Sequence, residues 1–180
     1  MRNFLHEFHM LCERSGARSC YEFGCGEGEL ALGLAKKGWK VQGSDLESAV
    51  VESSRQLFQD EGLVGEFDVL DILEFDPLEI STELVICCEV LEHLPAPEKA
   101  LTNLVATGAP RFLLSVPREP LWRALNVSRG KYLAQFGNTP GHLQNWSKGS
   151  FIKMISRHMT IESIRNPLPW TMLLCRHPDL

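Results

Sequence analysis

A chain of 180 residues with 44% hydrophobic and 23% charged residues has the composition of an ordinary soluble globular domain. At this length about 70% of the unfolded surface can be buried, so no staples are required. No apolar run approaches the ~20 residues of a membrane span. His6, Glu7, His9 and Glu13 break up the N-terminal apolar stretch, so it does not read as a signal peptide and the expectation is a cytoplasmic protein.

The elements follow in chain order. Helical patterns cover 2–14, 27–37, 46–60, 97–106 and 148–157. Strand patterns cover 19–24, 40–44, 66–71, 83–88, 111–116, 159–164 and 169–175. The regular alternation of strand and helix predicts an α/β fold: a Rossmann-like, doubly wound, seven-stranded, mostly parallel sheet. Only "RNPLP" separates the last two strands, which predicts an antiparallel hairpin on the sheet edge. Residues 117–147 interrupt the alternation with Pro, Gly, aromatic and basic residues. They read as an insertion near the strand ends, where open α/β sheets bind ligands. The whole of 1–180 is expected to form one domain carrying this insertion.

Six cysteines occur, Cys12, Cys20, Cys25, Cys87, Cys88 and Cys175, with no CxxC pair. That spacing suits neither zinc nor a secreted disulfide framework, so they read as reduced buried residues and no metal site is expected. The net charge of −5 is unevenly spread. Residues 111–165 hold nine basic residues against two acidic ones, a local charge of +7. The remainder holds nine against 21, a charge of −12.

The informative stretch is 21–30, "YEFGCGEGEL". Gly24 can take backbone angles closed to other residues, Gly26 lets a ligand approach the backbone, and Gly28 lets the helix start pack near the strand. The spacing is G-x-G-x-G, not the G-x-G-x-x-G of a pyrophosphate loop. Glu22 and Glu27 would repel a pyrophosphate and favour a cationic ligand. Asp45 lies 21 residues after Gly24, the distance at which an acid reaches two ribose hydroxyls; it also suits a helix N-cap. A ligand with a ribose and a positive charge is implied, and S-adenosylmethionine has both.

"YEFGCGEGEL", "GSDLE", "FDVLDILEF" and "ELVICCEVLEHLPAPEKAL" occur in order over about 18–116. Together they resemble the motifs of class I S-adenosylmethionine-dependent methyltransferases of the bacterial small-molecule type. The resemblance implies that Glu22, Gly24, Gly26 and Gly28 cradle the methionine part of the cofactor and that Asp45 binds its ribose. It places Leu46 beside the adenine, Asp71 on the adenine amine with Ile72 alongside, and Cys88 and Glu89 at the sulfonium. Glu83 stands where that family usually has Asp, and the first strand is unusually polar at Ser19, Cys20 and Tyr21.

Methyl transfer needs an aligned nucleophile and exclusion of water, and a hydroxyl acceptor benefits from a base. His93 in "EVLEHL" and His142 in "NTPGHLQNWS" are the candidates. "NPLPW" is out of place for an amino-methyltransferase motif, because it falls between the last two strands. In the insertion, Trp122, Leu125, Tyr132, Leu133 and Phe136 recur at roughly helical spacing among Arg118, Arg123, Arg129 and Lys131, with Gly130 weakening the helix midway. This segment reads as a lid, or as a peripheral membrane contact. Its arginines suggest a small-molecule acceptor bearing phosphate or carboxylate, and nucleic acid is not expected. The expected reaction is methyl transfer to oxygen, nitrogen or carbon. The alternatives are a non-catalytic cofactor-binding module of the same fold and an NAD-dependent oxidoreductase.

Overall fold

A computed structural model describes residues 2–180. Seven strands form one sheet: β1 (Ser19–Phe23), β2 (Lys40–Asp45), β3 (Glu66–Val69), β4 (Leu84–Cys88), β5 (Arg111–Pro117), β6 (Thr160–Arg165) and β7 (Trp170–Arg176). Their order is β3-β2-β1-β4-β5-β7-β6. The first five pair parallel, and β7 runs antiparallel between β5 and the edge strand β6. The expected terminal hairpin is therefore present, although its second strand lies inside the sheet and its first forms the edge.

The described residues form six α-helices, α1 (Arg2–Ser15), α2 (Glu29–Ala35), α3 (Ser48–Asp60), α4 (Pro97–Ala106), α5 (Leu121–Ser128) and α6 (Lys148–Ile155), of which all but α5, in the insertion, supply residues to the two cores. On one face Phe8 and Leu11 of α1, Leu34 of α2 and Val51 and Phe58 of α3 pack with Val41 and Ile86. On the other, Leu101 and Leu104 of α4 and Phe151 and Ile155 of α6 pack with Phe112, Leu114 and Leu173. Every residue of β4, "LVICC", is buried, as expected of a central strand covered on both faces. Among the described residues no helix is long and apolar enough to cross a membrane.

Differences from the sequence reading lie at element ends. β3 stops at Val69 rather than Asp71, because Leu70 and Asp71 turn away into a loop; the Asp71 carboxylate accepts the Leu73 amide there at 2.8 Å. The second helix starts at Glu29, not 27, since Gly26 and Gly28 both hold positive φ. In the insertion, helix α5 ends before Gly130, whose φ of 69° suits a left-handed helix stop.

Phe112 is fully buried in the second cluster. Phe112→Ala is expected to lower unfolding stability by about 3–5 kcal/mol. Urea denaturation would show this as a lower midpoint at an unchanged slope.

Candidate active site

The chain leaves the parallel sheet in opposite directions on the two sides of the β1–β4 pair. In open α/β sheets the crevice above the carboxyl ends of such a pair is where ligands bind. Two cavities open there. One, of about 520 Å³, is lined by Phe4, Leu5, Glu22, Gly26, Trp122 and Trp170 among others. The second, of about 430 Å³, is lined by Ser44, Asp45, Leu46, Asp71, Ile72 and His93 among others. Gly24 and Glu89 border both.

The glycine loop is shaped by three different constraints. Gly24 holds φ 69°, and a Cβ there would collide with the Val90 side chain. Gly26 holds φ 54°, with nothing within 4 Å of where a Cβ would stand, so the backbone is open to a ligand. Gly28 holds φ 82° against Ser54 of α3, 3.2 Å from its would-be Cβ, and lines neither cavity. Of the three, Gly28 serves packing. The Asp45 carboxylate braces the loop, accepting from the amides of Gly26 at 3.1 Å and Glu47 at 3.2 Å.

The floor is acidic. Glu22 is buried on β1, with Oε2 lacking a partner. Burial pushes its carboxyl up to about 8; the Ala31 amide opposes this, and the charge of Asp45 adds to it. Glu89 follows β4 with a left-handed φ of 60°, a conformation that is strained for a residue with a side chain. Its carboxylate accepts from the Ser115 hydroxyl at 2.9 Å and the Trp170 indole N–H at 2.7 Å. Burial moves it upward, against those two bonds. Glu92 is buried with both oxygens unpartnered, and burial and the charge of Glu89 raise it too.

The insertion folds back onto this floor. Leu143 and Gln144 donate their amides to the Glu92 carbonyl at 2.8 and 2.9 Å. His142 thereby comes edge-on to His93, ring centroids 4.9 Å apart, and stacks on Trp122. The His93 Nδ1–H donates to the Gly141 carbonyl at 3.0 Å, so in the neutral ring the lone pair lies on Nε2. Burial first, then the charge of His93, lowers His142 and favours its neutral form. Ligand atoms of Glu92, His93 and His142 lie within 4.8 Å of one another. The sequence reading expected no metal ligands; the fold gathers a set able to hold a cation.

The expected cofactor residues Glu22, Gly24, Gly26, Cys88 and Glu89 thus meet in the first cavity, and Asp45, Leu46, Asp71 and Ile72 in the second. His142 lines neither and reaches the site only through His93 and Trp122. The sequence reading placed Trp122 in the lid segment but missed Trp170, Phe4 and the ligand role open to Glu92. Trp170 ends the "NPLPW" that was set aside on its position in the chain, and only the placement of β7 beside β5 brings it to Glu89.

Strand order and the crevice define a Rossmann-like α/β ligand-binding fold. The chain belongs to the methyltransferase domain family, whose model matches residues 21–110. It is 31% identical to the ubiquinone biosynthesis O-methyltransferase of Xanthomonas axonopodis pv. citri over 127 residues, 68% of this chain and 53% of that protein. The chain therefore spans about half the length of that relative. Its fold is similar to the magnesium protoporphyrin IX methyltransferase of Synechocystis PCC 6803 solved with bound SAH, at a TM-score of 0.71, 19% identity and coverage of 95% and 83% of the two chains. It is also similar to the [4+2]-cyclase SpnF, at a TM-score of 0.74, 13% identity and coverage of 97% and 81%.

The raised carboxyls set the pH dependence of stability. The unfolded chain releases these protons near the ordinary carboxylate value, at about pH 4.3. The folded chain keeps that of Glu22 up to about 8. In this window the folded state binds more protons, so stability falls as pH rises. Without ligand, Tm is expected to be highest near the acid end of the window and to decline toward its upper end. Glu22→Gln is expected to flatten the decline in differential scanning calorimetry.

Proposed function

We propose that the chain is a methyltransferase that moves a methyl group from S-adenosylmethionine to an oxygen of a small-molecule acceptor. The observation that carries this is the meeting of the two cavities at Gly24 and Glu89 over a floor of carboxylates with no basic partner. Such a floor favours a ligand carrying positive charge and disfavours a pyrophosphate, which argues against the NAD-dependent alternative. When bound, S-adenosylmethionine supplies an electrophilic methyl on a sulfonium. The choice of oxygen is supported by the similarity to ubiquinone biosynthesis O-methyltransferases.

The chain's own residues divide the work. Gly26 leaves room for close approach of the methionine part, with Glu22 and Cys88 beneath it. Asp45 holds the ribose hydroxyls, Asp71 the adenine amine, and Leu46 and Ile72 flank the ring. Glu89 faces the sulfonium, its orientation fixed by Ser115 and Trp170. His93, with Nδ1–H committed to Gly141, offers Nε2 to take the acceptor proton; His142 stands behind it. The insertion 117–147 acts as a lid that excludes water, part of the single domain 1–180.

One observation favours a second reading of the same histidines. The unpartnered carboxylate of Glu92 lies with His93 and His142 in a set fit for a divalent cation. Such an ion would supply charge that favours a deprotonated acceptor oxygen.

Calorimetric titration with S-adenosylmethionine, S-adenosylhomocysteine and NAD tests the cofactor. The two adenosyl ligands are expected to bind in the micromolar range and NAD not at all. Asp45→Ala should weaken binding about tenfold, the loss of roughly 1.4 kcal/mol. Absence of adenosyl binding would overturn the proposal. Because the same fold also houses a cyclase, turnover must be measured as acceptor-dependent release of S-adenosylhomocysteine. Binding without release across acceptors would favour the non-catalytic module.

The two readings of the histidines separate on one experiment. With a histidine base, EDTA leaves turnover unchanged and His93→Ala lowers it about 10²–10⁴-fold. With a cation, EDTA removes turnover, added Mg²⁺ or Mn²⁺ restores it, and Glu92→Gln abolishes the restoration.

A further inference from the structure

A third cavity, of about 380 Å³, lies between α5 and the start of β7, and none of the residues proposed to hold the cofactor lines it. Its lining includes Asn126, Arg129, Lys131 and Tyr132. It shares Trp122 and Trp170 with the 520 Å³ cavity. The two indoles, with centroids 5.7 Å apart, therefore stand between this chamber and the site where Glu89 lies.

The charge here is uncompensated. Arg55, Arg111, Arg157, Arg165, Arg176, Lys36 and Lys37 each stand against a carboxylate. Among the described residues Arg129 and Lys131 pair with none. The Arg129 Nε–H donates only to the Leu125 carbonyl at 3.0 Å, which leaves the outer guanidinium nitrogens free. No acid lines the chamber.

The chamber wall is also braced. The buried Asn126 donates its side-chain amide to the Gly137 carbonyl at 2.9 Å and to the Thr139 hydroxyl at 3.3 Å. The Asn126 carbonyl accepts the Lys131 amide at 2.8 Å, and the Trp122 indole donates to Thr139 at 2.9 Å. Tyr132 sits at a left-handed φ of 54°. A loop whose amide network holds a strained non-glycine residue is over-determined by its surroundings, and such conformations gather at binding sites.

We propose that this chamber is the acceptor's anion subsite. It takes an aromatic acceptor bearing a carboxylate, phosphate or sulfonate: the anion rests on Arg129 and Lys131 and the ring lies against Trp122 and Trp170, which directs the reacting oxygen toward the Glu89 side. Planar guanidinium and ammonium donors suit such an anion, and indole faces suit a flat ring. The assignment of the subsite to the methyl acceptor rests on the proposed methyl transfer, whereas the binding itself does not.

The probe is anilinonaphthalene sulfonate, read by energy transfer from tryptophan, against phenylnaphthylamine, its neutral counterpart. The sulfonate is expected to bind wild-type protein about tenfold more tightly than the amine, the scale of one charge-assisted contact. In the double variant Arg129→Gln, Lys131→Gln that preference disappears while binding of the amine stays. Benzoate and phenyl phosphate displace the probe, and benzyl alcohol does not. Leu133 and Phe136 are exposed on the outer face of the insertion and line a separate groove. The control Leu133→Ser, Phe136→Ser should leave probe binding intact. Loss of binding in that control, with retention in the Arg129/Lys131 variant, would mean surface adsorption and overturn the proposal. Equal binding of sulfonate and amine would overturn it as well. Because the titration is run without cofactor, failure here is distinct from failure of the adenosyl ligands to bind. An unchanged thermal melt of each variant shows that it is folded.

Discussion

The structure turns on an imbalance of charge at the centre of the sheet. Glu22 and Glu89 lie at the carboxyl ends of β1 and β4 and Glu92 follows close behind, Glu22 and Glu92 buried, and among the described residues no lysine or arginine pairs with any of the three. Buried carboxylates without partners are unfavourable when ionised, so each is pushed toward its protonated form. A protein built only for stability would replace them with apolar residues of similar volume. They stand instead at a place where the topology opens a crevice.

The surrounding elements shape that crevice. The glycine loop brings backbone rather than side chain to the crevice: Gly26 leaves open space and Gly24 allows Val90 to approach. Trp170 and Ser115 fix the Glu89 carboxylate. The insertion is sewn down by main-chain bonds from Leu143 and Gln144 to Glu92 and from Arg118 to Pro169, and closed on itself by one from Glu119 to Trp146. Backbone bonds of this kind hold a position without depending on particular side chains. They bring His142, Trp122 and the basic chamber to the mouth of the site.

Much of the fold was legible in the sequence. Apolar runs such as "LVICC" bounded by polar turns, alternating with i, i+4 patterns such as Leu30 and Leu34, report burial directly, and burial depends on local periodicity. The glycine spacing and the acid at Asp45 were legible for a similar reason. They sit in one strand–turn–helix–strand unit, where distance along the chain nearly fixes distance in space. Element ends were less so: β3 stops at Val69 because Asp71 caps its own loop, a side-chain bond that periodicity does not encode.

By itself, then, the sequence determined the alternating α/β architecture, the glycine loop and the acidic character of the first βα turn, because each depends on residues close together along the chain. Only the tertiary structure decided which distant residues meet. Trp170 reaches Glu89 across 81 positions, and His142 lies 49 positions after the His93 it faces. It also set Gly28 against Ser54 of α3, and brought Glu92 together with His93 and His142. The physical reason is the same in each case: these encounters are set by where β7 inserts in the sheet and where the insertion folds back, and neither is written in any local pattern of residues.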